Sequence, residues 1–243
     1  MNSNIINVAN LELKIGEFKL DNISFDIPRG SVVALIGSNG SGKTLLIKCL
    51  LNVYYPDNGS IHIFGQDIHK SEINIKDRIA CVFDDGFFFE QLSLKQMTEI
   101  ISIGYSKWDP ELFKNYINKF GLDLDQNIDK LSKGMKMKFA LALAFSHEAE
   151  LYIMDEPTNG LDMIFREEIL EFIKTEVLNS NKTVIFSTHL SSDVENIADY
   201  LLILNNGKVI FENTKSAFLN LPRLKNETTF KGKLLDLLRK GGE

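Results

Sequence analysis

Gly37-Ser38-Asn39-Gly40-Ser41-Gly42-Lys43-Thr44 decides how this chain is read. The octapeptide matches G-x-x-x-x-G-K-[ST], a loop that cradles phosphate between a buried strand and a helix. Each residue type meets a chemical requirement. The glycines let the backbone curl, so that successive N–H groups face one anion. The loop opens a helix, whose free N–H groups and dipole favour negative charge. Lys43 brings a cation to the β- and γ-phosphates, and the Thr44 hydroxyl is an oxygen suited to Mg²⁺. All eight residues, Ser38, Asn39 and Ser41 included, are expected to contact a nucleotide. Four matching fixed positions arise by chance in roughly one chain of this length in a hundred. The flanks agree with the motif: Ser31 to Ile36 is a continuous apolar run, and a helical pattern runs from Gly42 to about Asn52.

Working outward, residues 5 to 36 read as strands, with Pro28-Arg29-Gly30 as a turn. Pro56-Asp57-Asn58-Gly59 breaks the chain before two short strands, Gly59 to Phe64 and Arg78 to Phe83. Ser93 to Ile103, Pro110 to Lys119 and Lys133 to Ser146 carry apolar residues at helical spacing, so a helical insert is expected at about 87 to 149. Strand signals resume at Leu151 to Met154, Thr183 to Ser187, Leu201 to Leu204 and Val209 to Phe211. Asn206-Gly207 between the last two is a two-residue hairpin signal. The expected fold is α/β, one unit over residues 1 to 243, with an N-terminal antiparallel β subdomain, the helical insert and a tail from about 214. Within that tail, Asn226 to Glu243 has the makings of an amphipathic helix, for packing or for contact with a partner or membrane surface.

The bulk properties bound the function. An apolar share of 44% and a charged share of 25% over 243 residues suit a globular core. A net charge of -6 argues against a nucleic-acid partner. Cys49 and Cys81 fit no metal or redox spacing and read as buried free thiols. The longest apolar run, Phe139 to Phe145, is far short of a bilayer span. The amino-terminal stretch MNSNIINVAN lacks the basic-then-apolar layout of a signal peptide. Any membrane part must come from another chain, which places this one in the cytoplasm or peripherally on the cytoplasmic face of the membrane.

Leu151-Tyr152-Ile153-Met154-Asp155-Glu156 is an apolar strand ending in two acids. Neighbouring strand residues point to opposite faces, so the two carboxylates are expected to do different jobs. Asp155 suits the Mg²⁺ shell, directly or through water. Glu156 suits general-base work on an attacking water.

GSNGSGKT, then Leu131-Ser132-Lys133-Gly134-Met135, then LYIMDEP, then Asn159-Gly160-Leu161-Asp162, then FSTH ending at His189, in that order, resembles an ABC-transporter ATPase. The resemblance runs from about residue 5 to residue 213. It implies a P-loop NTPase core that pairs head to tail, as a homo- or heterodimer, and buries ATP between two copies. It implies that Ser132 and Gly134 contact the γ-phosphate held by the other copy, and that Asp162 links the two sites. It implies that His189, with Thr188 beside it, touches the γ-phosphate. Ser132 also reads independently as the N-cap of the helix that follows, whose end presents N–H groups to an anion.

The chain departs from the family at three places. Asp84 stands where a glutamine is usual, and is expected to reach Mg²⁺ through water. Lys133 and Met135 replace a glycine and a glutamine in the signature. The adenine-stacking aromatic is missing near Ile15, leaving Phe18 as the substitute or as a strand-core residue. Phe87-Phe88-Phe89 is a candidate docking patch for a transmembrane permease, with core packing as the alternative. By resemblance, the short chain with LSKGM looks most like subunits of bacterial peptide or antibiotic exporters. The alternatives are a soluble ATPase of the same type acting on ribosomes or nucleic acid, and a non-hydrolysing ATP-gated dimer.

Overall fold

The computed structural model describes residues 4–84, 88–178, 181–221 and 229–240. Among these, the strands divide into two sheets. The first is antiparallel and holds β1 (Asn4–Ile15), β2 (Phe18–Pro28), β4 (Asn58–Ile63) and β5 (Gln66–Asp67) in the order β2-β1-β4-β5. The second runs β10-β9-β3-β8-β7-β6. Its members are β3 (Val32–Ile36), β6 (Ile79–Phe83), β7 (Leu151–Asp155), β8 (Thr183–Thr188), β9 (Tyr200–Asn205) and β10 (Lys208–Thr214). Five of the six are parallel, and β10 returns antiparallel beside β9.

β3 sits inside this sheet and is buried along its whole length, as its unbroken apolar run requires. Its two faces serve two cores. Val33 and Leu35 pack toward the antiparallel sheet and α1 (Lys43–Leu50). Val32, Ala34 and Ile36 pack toward α5 (Lys133–Phe145), α6 (Met163–Leu178) and α7 (Ser191–Ile197). The strand that carries the phosphate loop is thereby clamped between two layers.

Between β6 and β7 lie α3 (Leu94–Ser102), α4 (Pro110–Phe120) and α5. Ser93 caps α3 in a capping box with Gln96, and Asp109 caps α4 with Pro110 in its first turn. Gly121, at φ 64°, ends α4. α5 is buried on nearly every side, because it is wedged between α4 and β6. Of the aromatic triplet, Phe88 is partly buried and packs against the core with its ring tilted on Phe139 at 5.2 Å, whereas Phe89 is exposed. Phe87 lies outside the described residues.

Asn206 and Gly207 both have positive φ and form the tight turn between β9 and β10. The tail folds into α8 (Lys215–Leu219) and α9 (Phe230–Lys240). Phe230, Leu234 and Leu237 of α9 are buried, with Phe230 against Phe218 at 5.3 Å. Phe230, Leu234 and Leu237 therefore pack inward, whereas Leu235 on the same helix is exposed. Both cysteines are free, and burial pushes each thiol up to about 12. No helix among the described residues is long and apolar enough to cross a membrane.

Candidate active site

The loop after β3 curls because Gly40 and Gly42 take φ of 80° and 106°, which residues with a Cβ resist. Gly37 leaves no room for a side chain: a Cβ there would stand 2.3 Å from Ser41 Oγ and 2.5 Å from Leu204 O. Ser38, Asn39 and Gly40 are exposed, and Thr44 is exposed at the start of α1. The Ser41 side chain is buried under Gly37, so only its backbone is left for a ligand. Ser38 to Leu45, apart from Ser41, line a cavity of about 570 Å³ with Phe18 and Glu156. Phe18 comes close enough to Gly42 that a Cβ would meet its ring at 3.0 Å. The ring is thus placed at the cavity rather than in the sheet core alone.

Three strand ends converge on this loop. β7 pairs with β8, and β8 with β3, which aligns their C-terminal edges. Thr44 Oγ1 donates to Asp155 Oδ2 at 2.8 Å. Ser187 Oγ donates to Asp155 Oδ1 at 2.6 Å and accepts from the Glu156 N–H at 2.8 Å. Lys43 Nζ donates to Gly37 O at 2.9 Å and lies 3.4 Å from Glu156 Oε1. His189 Nδ1 lies 3.0 Å from Glu156 Oε2. Lys43 is nearly buried, at 7% side-chain exposure, and Glu156 has 16%, so this charge pair is poorly screened.

Simple strand alternation would send the Asp155 and Glu156 side chains to opposite faces. The structure differs, because Glu156 takes a left-handed φ of 50°. That turn brings its carboxylate back to Lys43 and His189 while Asp155 keeps Thr44. The two acids therefore share one cleft with separate partners. Such strained backbone concentrates at functional sites.

Thr188 does not meet its expected role in this geometry. Its side chain is fully buried, accepts from the Leu190 N–H at 3.0 Å and faces Asp193. Alternation along β8 gives the site-facing place to Ser187 instead, which residue typing alone did not single out. Asp193 was also silent in the sequence. It is 1% exposed and gathers Thr158 Oγ1 and Arg166 Nε, each at 2.6 Å. This knot braces the turns after β7 and β8.

Asp84 lies one residue beyond Phe83, which pairs with Asp155 across β6 and β7. Its Oδ2 accepts from Asn159 Nδ2 at 2.9 Å, and its Oδ1 stands 2.5 Å from Lys133 Nζ. The carboxylate expected to reach a metal is thus engaged by a lysine and an amide. Ser132 is exposed and caps α5 by accepting the Met135 N–H at 3.2 Å. Gly134 lies under the Phe165 ring, where a Cβ would meet it at 3.1 Å. Asp162 caps α6, accepting the N–H groups of Ile164 and Phe165 at 3.0 and 3.1 Å. Beside it Met163 and Ile164 are 75% and 78% exposed. The Gly134–Phe165 approach brings the starts of α5 and α6 together, and none of Ser132, Gly134 and Asp162 lines the cavity at the phosphate loop.

The hydroxyl of Thr44 and the carboxylate of Asp155 make a hard oxygen pair that fits Mg²⁺. Such a pair leaves most of the coordination shell to water and phosphate, the usual habit of this ion. A larger cavity, about 830 Å³, is lined by Arg29, Trp108, His147, Glu150 and Lys182. It lies where β7 and β8 begin, the edge opposite the loop, and holds none of the motif residues.

A sequence profile of the ABC transporter family matches residues 20–159. The lantibiotic transport ATP-binding protein SrtF of Streptococcus pyogenes is 32% identical over 232 residues, covering 91% of this chain and 96% of that protein. The bacitracin transport ATP-binding protein BcrA of Bacillus licheniformis is 32% identical over 219 residues, covering 86% of this chain and 70% of that protein. A solved structure of the ATP binding subunit of an ABC transporter superposes with a TM-score of 0.85 at 26% identity, over 96% of this chain and 99% of that one.

Proposed function

Because this chain belongs to the ABC transporter family, as an ATP-binding subunit with ATPase activity, we propose that it hydrolyses ATP at Glu156 to power export of a peptide antibiotic. One observation carries the site assignment: Lys43, Glu156 and His189 meet at the phosphate loop, within 3.4 and 3.0 Å of one another in turn.

The loop N–H groups and Lys43 bind the triphosphate, and Lys43 exchanges its contact with Gly37 O for phosphate oxygen. Thr44 and Asp155 would hold Mg²⁺, which when bound would neutralise charge on the phosphates. Glu156 Oε2 takes the proton of the attacking water, and His189 Nδ1 fixes the orientation of that carboxylate. Ser187 holds Asp155 and the Glu156 backbone in register. Phe18 offers the base a ring to stack on.

The second half of the site is assigned to another copy of the same unit. Ser132, Gly134 and the start of α5 present N–H groups, and Asp162 lies among exposed apolar side chains. We assign residues 1 to 243 to a single nucleotide-binding unit that works against a membrane-embedded permease from the cytoplasmic face. The cargo class follows from the likeness to the lantibiotic and bacitracin transport proteins.

Glu156→Gln tests the scheme. The variant is expected to lose phosphate release while forming an ATP-dependent dimer in gel filtration. Turnover at the parent rate would remove Glu156 as the base. A chain that recovers with ribosomes instead of a membrane protein would overturn the transport role.

A further inference from the structure

Two departures from the family pattern are each other's partner in the fold. Asp84 replaces a glutamine, Lys133 replaces a glycine, and their charged atoms stand 2.5 Å apart. We propose that Lys133 is a positioning residue whose charge compensates Asp84, so that the nucleotide site tolerates a carboxylate at the end of β6.

The argument starts from charge placement. Asp84 follows the strand residue paired with Asp155, at the edge where the phosphate loop lies. A bare carboxylate there repels a triphosphate. Lys133 is the first residue of α5, where a cation opposes the helix dipole. Each charge is unfavourable alone, and the contact relieves both. Asp84 Oδ1 receives no aligned hydrogen bond, so the contact with Lys133 is one of charge.

Room for the lysine is also built in. A Cβ on Gly160 would stand 3.1 Å from Lys133 Nζ, so the side chain lies across that glycine. Asp84 also accepts from Asn159, whose own N–H donates to Glu156 O at 3.0 Å. A continuous set of contacts therefore runs from the start of α5, through Asp84 and Asn159, to the backbone of Glu156. The side chains are 40% and 25% exposed, so the pair acts by local charge and placement more than by global stability.

The test is a double-mutant cycle on ATPase KM and kcat with Lys133→Ala, Asp84→Asn and both together. Lys133→Met, which keeps the stem of the side chain, runs in parallel and replaces the alanine if that variant fails to fold. Lys133→Ala is expected to raise KM roughly fivefold with a smaller change in kcat, and the double variant to regain most of that loss. Raising KCl from about 50 to about 500 mM should shrink the defect, because salt screens a carboxylate that is partly open to solvent. An unchanged KM in the lysine variants, a double variant equal to the product of the singles, or a defect indifferent to salt overturns the proposal. It rests on ATP as the ligand of the loop. Failure of the Glu156→Gln dimer would strike that premise, whereas an intact dimer without coupling strikes the pair alone.

Discussion

The N–H of Gly207, in the turn between β9 and β10, donates to the carbonyl of Ser41 at 3.0 Å. A hairpin distant in sequence thus holds the phosphate loop from behind. The Gly207 carbonyl accepts from the Asp21 N–H at 2.8 Å, which ties the same turn to β2. Gly207 has φ 74°, and a Cβ there would lie 1.9 Å from Lys19 O. Gly207→Ala is therefore expected to cost more than about 2 kcal/mol, from strain and backbone clash together. Chemical denaturation gives that number, and nucleotide affinity should fall with it as the loop loses its brace.

Ser187 bridges Asp155 and the backbone of Glu156, so its hydroxyl registers both acids at once. Ser187→Ala leaves the Glu156 N–H without its acceptor, at a cost of about 1–3 kcal/mol. The ATPase rate is expected to drop roughly tenfold or more, with nucleotide binding less affected. Steady-state kinetics beside a binding titration separates the two. An unchanged kcat would show that the acids are placed without the hydroxyl.

Asp193 is buried against Arg166, Thr158 and Thr188. Asp193→Ala abandons a guanidinium and a buried hydroxyl, and should cost roughly 3 kcal/mol or more. His189 follows Thr188 directly, so turnover should suffer beyond the loss of folded protein. Thermal unfolding and ATPase assays on the same samples check this.

His147 is 2% exposed and stacks on Tyr105 at 3.7 Å. Burial holds its pKa at about 4, below the ordinary 6.5, with Asp77 opposing and Lys182 adding to the shift. The folded ring stays neutral where the unfolded one binds a proton. The stability this contributes is present above about pH 6.5 and is lost as pH falls toward about 4, by about 3 kcal/mol in all. Denaturation midpoints for the parent and His147→Phe should converge over that window. Parallel pH profiles would refute the assignment.

The phosphate loop, the strand before it and the two terminal acids were legible because their chemistry demands fixed residue types in a short span. Asn206-Gly207 was legible for the same reason, since few residues tolerate two positive φ values in succession. Ser187 and Asp193 were not, because a serine in a strand or an aspartate in a helix carries no local signal. Their importance comes from β7 and β8 lying side by side, which is set by tertiary pairing. The partner of Asp84 was hidden likewise: Lys133 is 49 positions away, and only the packing of α5 on β6 brings the two together. On β8 the hydroxyl that reaches Asp155 is that of Ser187, while Thr188 one residue on turns to Asp193, the difference between the two faces of a strand.

The pieces of the cleft come from residues 37–44, 155–156 and 187–189, carried by strands that are neighbours only in the finished sheet. A polypeptide still emerging from the ribosome has its phosphate loop before it has either acid or the histidine to set beside it. β9, which flanks β3, arrives later still. Nascent fragments ending before that strand should be blind to nucleotide, so the cell meets no half-made subunit that consumes ATP.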